Sequence, residues 1–196
     1  PTILDGTANF QTTLYTGDGS TRNIDQTENS TFQPDAVWIK NRSQADSHML
    51  IDAARGVTKA VHSDSTGGET TDTNGLTSFD SDGFGLGSGA GGFNDNTENF
   101  VGWQWLAGGG AGSSNEEGSI NTITTTVNTE AGISVSTFTG TGANATIGHG
   151  LTNAPSAVWG KRSSGTESWM CWFEGMAGTA YFGFDASTAS ATSATV

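Results

Sequence analysis

The chain has 196 residues, and its 20 Asp and Glu residues against 7 Lys and Arg residues give a net charge of −13. So acidic a chain would be repelled by the phosphate backbone of nucleic acid and by an anionic membrane surface, which argues against both as partners. Only 33% of the residues are hydrophobic, yet 6 Trp and 10 Phe residues indicate a folded chain rather than a disordered one. The frequent Thr, Gly and aromatic residues, with turn residues every few positions, predict an all-β protein.

The sequence shows neither a secretion signal nor a disulfide framework. Residues 1–20 lack the apolar core of a signal peptide, and no stretch is long and apolar enough for a transmembrane helix, so we expect no membrane insertion. The one cysteine, Cys171, lies in the apolar run WMCW and cannot form an internal disulfide. Its neighbours favour a buried, unreactive thiol over a nucleophile.

The predicted elements of the first half are short strands separated by turns. Glycines at 17 and 19 mark a turn after a strand, and residues 36–40 (AVWIK) have the pattern of a core strand. Residues 47–54 fit a helical turn or a strand, and we favour the strand. Strands at 76–79 and 84–86 precede residues 100–105, where Val101, Trp103 and Trp105 alternate with small or polar residues and so share one face. We expect antiparallel β-sandwich or jelly-roll modules.

The second half repeats the first. Residues 15–24 (YTGDGSTRNI) match residues 138–147 (FTGTGANATI), and residues 34–40 (PDAVWIK) match residues 155–161 (PSAVWGK). Further matches pair residues 46–49 with 167–170, and Asp64 with Asp185. The sequence therefore predicts a first β-module at 1–106, a Gly/Ser-rich, flexible linker at 107–118, and a second, incomplete copy at 119–196. Val37 and Val158, like Trp38 and Trp159, should lie in equivalent strands.

These strings resemble a known module. The segments YTGDGSTRNI, TFQPDAVWIKNRSQADSHMLIDAARG, LTSFDSDGFGLG and ENFVGWQWLAGG are similar to a β-module that recurs in tandem in tailed-phage structural proteins, including marine phage tail fibres and other virion-surface proteins. The string FTGTGANATIGHGLTNAPSAVWGKRS resembles the start of the next copy. The resemblance implies a virion location, as a fibre, tail or capsid-decoration protein, with host attachment as a candidate role. It implies no catalytic residues.

No motif of catalysis stands out. The chain has no G-x-S-x-G elbow and no Walker loop, and the pair His48 and Asp52 would lie over about 12 Å apart on a strand. Carboxylate pairs such as Asp80 with Asp82, or Asp46 with Asp52, fit solvated turns better than a glycosidase pair. We therefore expect no enzyme, with a hydrolase of host polysaccharide as a third alternative.

Two loops carry oxygen ligands that suit calcium. Residues 80–83 (DSDG) form one of them, and residues 94–96 (NDN) with Glu98 form the other. A complete D-x-[DN]-x-[DN]-G loop with its distal Glu is absent, so we favour turns. We expect no cofactor, with calcium as the alternative.

The remaining hypotheses concern the aromatic residues. We expect core packing for Trp38, Trp103, Trp105 and Trp159. The second copy has no counterpart of residues 76–105, so its aromatic side chains should lack part of their cover and form ligand or subunit contacts. These residues are Trp159, Trp169, Trp172, Phe182 and Phe184. Either the native chain continues beyond Val196 or another chain covers them, and we favour the second, a homo-oligomer or a complex with other virion proteins. The alternative function is a carbohydrate-binding adhesin that recognises a host-surface glycan.

Overall fold

The protein is all-β. A computed structural model describes residues 5–27, 30–89, 91–186 and 191–192, and within these ranges it contains fifteen strands, a 3-10 turn at Gly6–Ala8 and no α-helix. All the strand pairs described are antiparallel. The predicted fold class is thus confirmed, and residues 49–52 within the ambiguous segment 47–54 form a strand.

The described part of the first module forms two main sheets and a small hairpin. The larger sheet has the order β1-β9-β3-β4, from β1 (Phe10–Thr16), β9 (Asn99–Trp105), β3 (Ala36–Asn41) and β4 (Met49–Asp52). The second sheet has the order β2-β8-β7, from β2 (Arg22–Asp25), β8 (Gly83–Leu86) and β7 (Leu76–Asp80). The hairpin pairs β5 (Lys59–Ala60) with β6 (Thr70–Thr71), and Leu50 of β4 bridges to Val61 directly after β5.

The core of the first module includes residues from both main sheets. Alternation along β3 sends Val37 and Ile39 inward and Trp38 outward. The buried cluster comprises Tyr15, Ile24, Val37, Ile39, Met49, Ile51, Ala60, Leu76, Phe84, Leu86, Phe93 and Phe100. Each large side chain buried in this way contributes roughly 1.5–3 kcal/mol to the free energy of unfolding.

The tryptophans of β3 and β9 lie on the opposite face of the larger sheet. As predicted, Trp103 and Trp105 share one face of β9, but the prediction that they and Trp38 pack in the core is wrong. Phe100, Gly102 and Gln104 point inward instead, and a side chain at 102 would approach the Phe84 ring to 3.2 Å. The close approach of Phe84 to the backbone therefore selects the glycine face as the core face.

The described residues of the second half form three hairpins. They pair β10 (Thr122–Asn128) with β11 (Ile133–Phe138), β12 (Ala157–Gly160) with β13 (Met170–Phe173), and β14 (Ala180–Tyr181) with β15 (Ala191–Thr192). By the offset of 123 that relates Tyr15 to Phe138, β11 is the counterpart of β1. It pairs with β10, whereas β1 pairs with β9.

The two halves of the chain share one strand register. In the first copy Ala36 faces Asp52, and in the second Ala157 faces Phe173, an offset of 121 on both strands. The same offset relates the bridge Leu50–Val61 to the bridge Cys171–Phe182. It also relates the pairing of β5 with β6 to that of β14 with β15.

The Gly-rich segment after β9 is anchored at its start. The fully buried carboxylate of Asp35 accepts hydrogen bonds from the backbone N–H groups of Ala107 (2.8 Å), Gly109 (2.7 Å) and Gly110 (2.6 Å). The bridge between Ser113 and Thr125 then fixes the segment to β10. Successive backbone N–H groups around a carboxylate make an anion-binding nest, so composition alone understates the order of this segment.

We expect Asp35→Ala to lower the free energy of unfolding by about 3 kcal/mol, because hydrogen bonds to a charged acceptor are strong and the buried donors lose their partner. Urea unfolding followed by Trp fluorescence measures the loss. Asp25→Ala, at an exposed position of β2, is the control and should change stability by less than about 0.5 kcal/mol. Equal effects of the two substitutions would contradict the anchoring role of Asp35.

Candidate functional site

The two copies meet through an aromatic cluster. Trp38 of the first copy contacts Trp159 and Phe184 of the second, with ring centroids 6.3 and 6.2 Å apart. Trp159 and Phe184 are themselves 5.2 Å apart, edge to face. Because Trp38 and Trp159 hold equivalent positions, the copies bring together the same outer face of their sheets.

Hydrogen bonds join the copies beside this cluster. The Lys161 amino group donates to the carbonyl oxygen of Thr66 at 2.8 Å, and the Glu167 backbone N–H donates to the same oxygen at 2.9 Å. The indole N–H of Trp169 donates to the carbonyl oxygen of His62 at 2.8 Å. Burial lowers the pKa of Lys161, although Asp185 and Glu167 oppose the shift.

The predicted contact residues differ in their exposure to solvent. Trp169 is only 4% exposed and packs in a cluster with Val61 and Cys171, so the prediction that it lacks cover is wrong. Phe182 and Phe184 are partly buried against the same cluster, and Trp172 is also partly buried. Trp159 is 46% exposed, so the prediction that it packs in a core is also wrong.

A second apolar surface lies on the opposite face of the second copy. Val158, Met170 and Phe138 are 48%, 43% and 49% exposed, whereas their counterparts Val37, Met49 and Tyr15 are 1%, 7% and 8% exposed. We call the surface formed by Val158, Met170 and Trp172 of β12 and β13 the open face. The sequence repeat could have identified this face, because each of its residues corresponds to a core residue of the first copy.

The second copy also has a hollow and a free strand edge. A hollow of about 360 Å³ is lined by residues that include Phe138, Ile147 and Ile120. In the part of the chain that the structure describes, β12 pairs only with β13, whereas β3 pairs with both β4 and β9. Unpaired backbone groups along β12 are therefore available to another strand.

A separate hollow of about 410 Å³ lies where the first module meets the β10–β11 hairpin. Phe10 and Trp105 line it with ring centroids 5.3 Å apart, and Ile133 closes it from the hairpin. Thr7 and Asn9 supply polar groups at its edge, although the side-chain Oδ1 of Asn9 already accepts a hydrogen bond from the Asn128 side-chain amide. An aromatic wall beside polar groups is an arrangement that can bind a sugar ring.

One candidate calcium loop gathers carboxylates and the other forms a turn. Asp95 and Glu98 come together with Asp46, with ligand oxygens within 4.8 Å of one another. The Asn41 side-chain amide donates to Asp46 at 2.6 Å and also to Glu98, and the backbone N–H groups of Gly91 and Gly92 donate to Asp95. Residues 80–83 form the tight turn between β7 and β8. The carboxylates could hold a hard cation, and they already order these loops.

The residues considered for catalysis make structural contacts. Asp52 binds Arg55 at 2.6 Å, and Nδ1 of His48 accepts a hydrogen bond from the Trp38 indole at 2.8 Å. Burial lowers the pKa of His48 and raises the pKa of the buried Cys171 thiol to about 11. A thiol with so high a pKa is mostly protonated near neutral pH and therefore a weak nucleophile. Nδ1 of His149 accepts from the Leu151 N–H within a turn.

Comparison with known proteins assigns a family without a function. The model of a family described as "Domain of unknown function (DUF7483)" matches residues 5–196. The chain belongs to this family. No curated protein and no solved structure matches the chain. In the part of the chain described, none of the helical structure is long and apolar enough to span a membrane.

The open face predicts concentration-dependent association of the isolated chain. Light scattering should give a mass that rises above the 20.1 kDa monomer with concentration, because exposed apolar side chains favour contact with one another. Val158→Asp combined with Met170→Asp should weaken association at least roughly tenfold, equivalent to about 1.4 kcal/mol.

The matched control places aspartate at other exposed apolar positions. Leu14 and Ile123, each 63% exposed, lie outside the open face, and changing both to Asp should leave association unchanged. A chain that stays monomeric at all concentrations, or association lost equally in both double variants, would contradict the prediction.

Proposed function

We propose that this chain is a non-enzymatic structural protein of a virion surface, in a fibre, a tail or a capsid decoration. The observation that carries the proposal is the pair of equivalent sheets in which one copy buries its apolar face and the other leaves it open. The buried face makes the first copy rigid, and the open face gives the second copy a surface for attachment. Assembly with copies of itself or with other virion proteins follows from the open face.

The polar side chains support a structural role. Asp35 anchors the segment after β9, Asp52 is paired with Arg55, and the Lys40 amino group donates to the carbonyl oxygens of Asn41, Gln44 and Asp46. Lys161, the counterpart of Lys40, likewise binds the carbonyl oxygen of Glu167. Charged groups are thus used to hold loops in both copies, a use that suits a scaffold.

Composition and resemblance support the virion context. The net charge of −13 favours solubility and disfavours binding to nucleic acid. The segments at 15–24, 31–56 and 98–109 resemble the tandem β-module of tailed-phage structural proteins. Host attachment is the role we propose for a fibre or tail location.

Purified particles from cultures that produce the protein test the proposal. An antiserum against the chain should label the particle surface in electron microscopy, and the protein should co-sediment with particles at a fixed copy number. The control is the soluble fraction of the same lysate, in which the protein should be depleted. Finding the protein only in that fraction would overturn the virion assignment.

The alternative function is carbohydrate binding at the hollow formed by Phe10 and Trp105. If the chain has this function, a glycan array should bind the wild-type chain. Trp105→Ala should weaken that binding at least roughly tenfold, because stacking on an indole provides much of the affinity for a sugar ring. Trp159→Ala removes an exposed indole elsewhere and is the matched control. Absence of glycan binding by the wild-type chain would exclude this alternative.

A further inference from the structure

The first copy shows what covers the face that the second copy leaves open. The open-face residues Val158, Met170 and Trp172 correspond to Val37, Met49 and Ile51, all in the buried cluster. The rest of that cluster includes Leu76, Phe84, Leu86, Phe93 and Phe100, all contributed by residues 76–105. Among the described residues of the second copy, no strand occupies the corresponding place.

The free edge of β12 indicates that the missing cover pairs as a strand. In the first copy β9 pairs antiparallel with β3 from Ala36–Trp105 to Asn41–Phe100, and β3 has no free edge. Its counterpart β12 offers the same edge to solvent. A strand added there would satisfy backbone groups by hydrogen bonds and align its side chains with the open face, as in strand addition to a sheet edge.

Tryptophan packing on the other side of the sheet leads to the same partner. Trp103 of β9 packs edge to face on Trp38, with ring centroids 5.8 Å apart. Trp159, the counterpart of Trp38, is 46% exposed. A strand with an aromatic residue at the position of Trp103 would cover Trp159.

We propose that the second copy binds a segment of a partner polypeptide with the pattern of residues 76–105: two apolar β-strands, then a strand that pairs with β12. This docking site specifies the partner in the assembly proposed above, and its biological role rests on that proposed function. Two strands of the segment would cover β12 and β13 as β7 and β8 cover β3 and β4, and the third would lie beside β12 as β9 lies beside β3. A covered open face no longer drives self-association.

A synthetic segment comprising residues 76–105, carrying a fluorophore, tests the proposal against the 196-residue chain. We expect saturable 1:1 binding with a dissociation constant of about 10 μM or tighter, because both strand pairing and apolar contact are available. Light scattering should show that the bound chain is monomeric.

Variants of the segment and of the chain identify the mode of binding. Phe84→Asp with Phe100→Asp in the segment should weaken binding at least tenfold, because both side chains enter the core of the first copy. Ser88→Asp, at an exposed position, is the matched control and should bind like the unmodified segment. Val158→Asp in the chain should weaken binding to the same extent, and circular dichroism checks that this variant stays folded.

The outcomes separate this proposal from the function on which it rests. Absence of binding, or binding that the Phe variants leave unchanged, would overturn the proposal. A closed dimer of the chain that the segment cannot displace would make a second copy the occupant and also overturn it, while assembly stands. Binding by a chain that does not occur on particles would support the docking site and remove the virion function.

Discussion

The apolar face of a β-sheet has to be covered, and this requirement governs the whole chain. In the first copy the second sheet provides the cover, and Leu76, Phe84 and Leu86 become fully buried against β3 and β4. The second copy builds β12 and β13 with the same register but has no such layer among the described residues. Identical strand pairing therefore produces a closed core in one copy and an open surface in the other. The free energy that burial contributes in the first copy is available for binding in the second.

The outer face of the sheet shows how one copy has adapted to its neighbour. His48, Asp52 and Ser63 of the first copy correspond to Trp169, Phe173 and Phe184 of the second. Two of these replacements, Trp169 and Phe184, place aromatic rings next to the first copy, where Trp169 also bonds to the carbonyl oxygen of His62. The backbone N–H of His48 donates to Asp64, and the backbone N–H of its counterpart Trp169 donates to Asp185, which is the counterpart of Asp64. Side chains have thus changed for packing while the strand geometry stays the same.

The sequence predicts local features and the repeat, but not contacts that depend on distant residues. The matched blocks at 34–40 and 155–161 predict equivalent strands because strand register transfers with spacing. Alternation puts Trp103 and Trp105 on one face, but the choice of core face depends on the fit between Phe84 and Gly102. The anchoring of residues 107–110 depends on Asp35, over 70 positions away, and composition alone predicts flexibility there. Asp46 likewise joins Asp95 and Glu98 only through folding.

The side chains of the open face are informative because they have remained apolar. Outer positions of the second copy differ in polarity from those of the first where a neighbour now covers them, as at His48 and Trp169. Open-face positions do not follow this rule: Val158 and Met170 are about half-exposed yet match Val37 and Met49 in type. A surface that stayed in water would gain solubility from polar residues at these sites, and nothing in the strand geometry prevents them. The second copy therefore keeps side chains of the type found in the buried face of the first, and this is the physical basis of the proposed docking site.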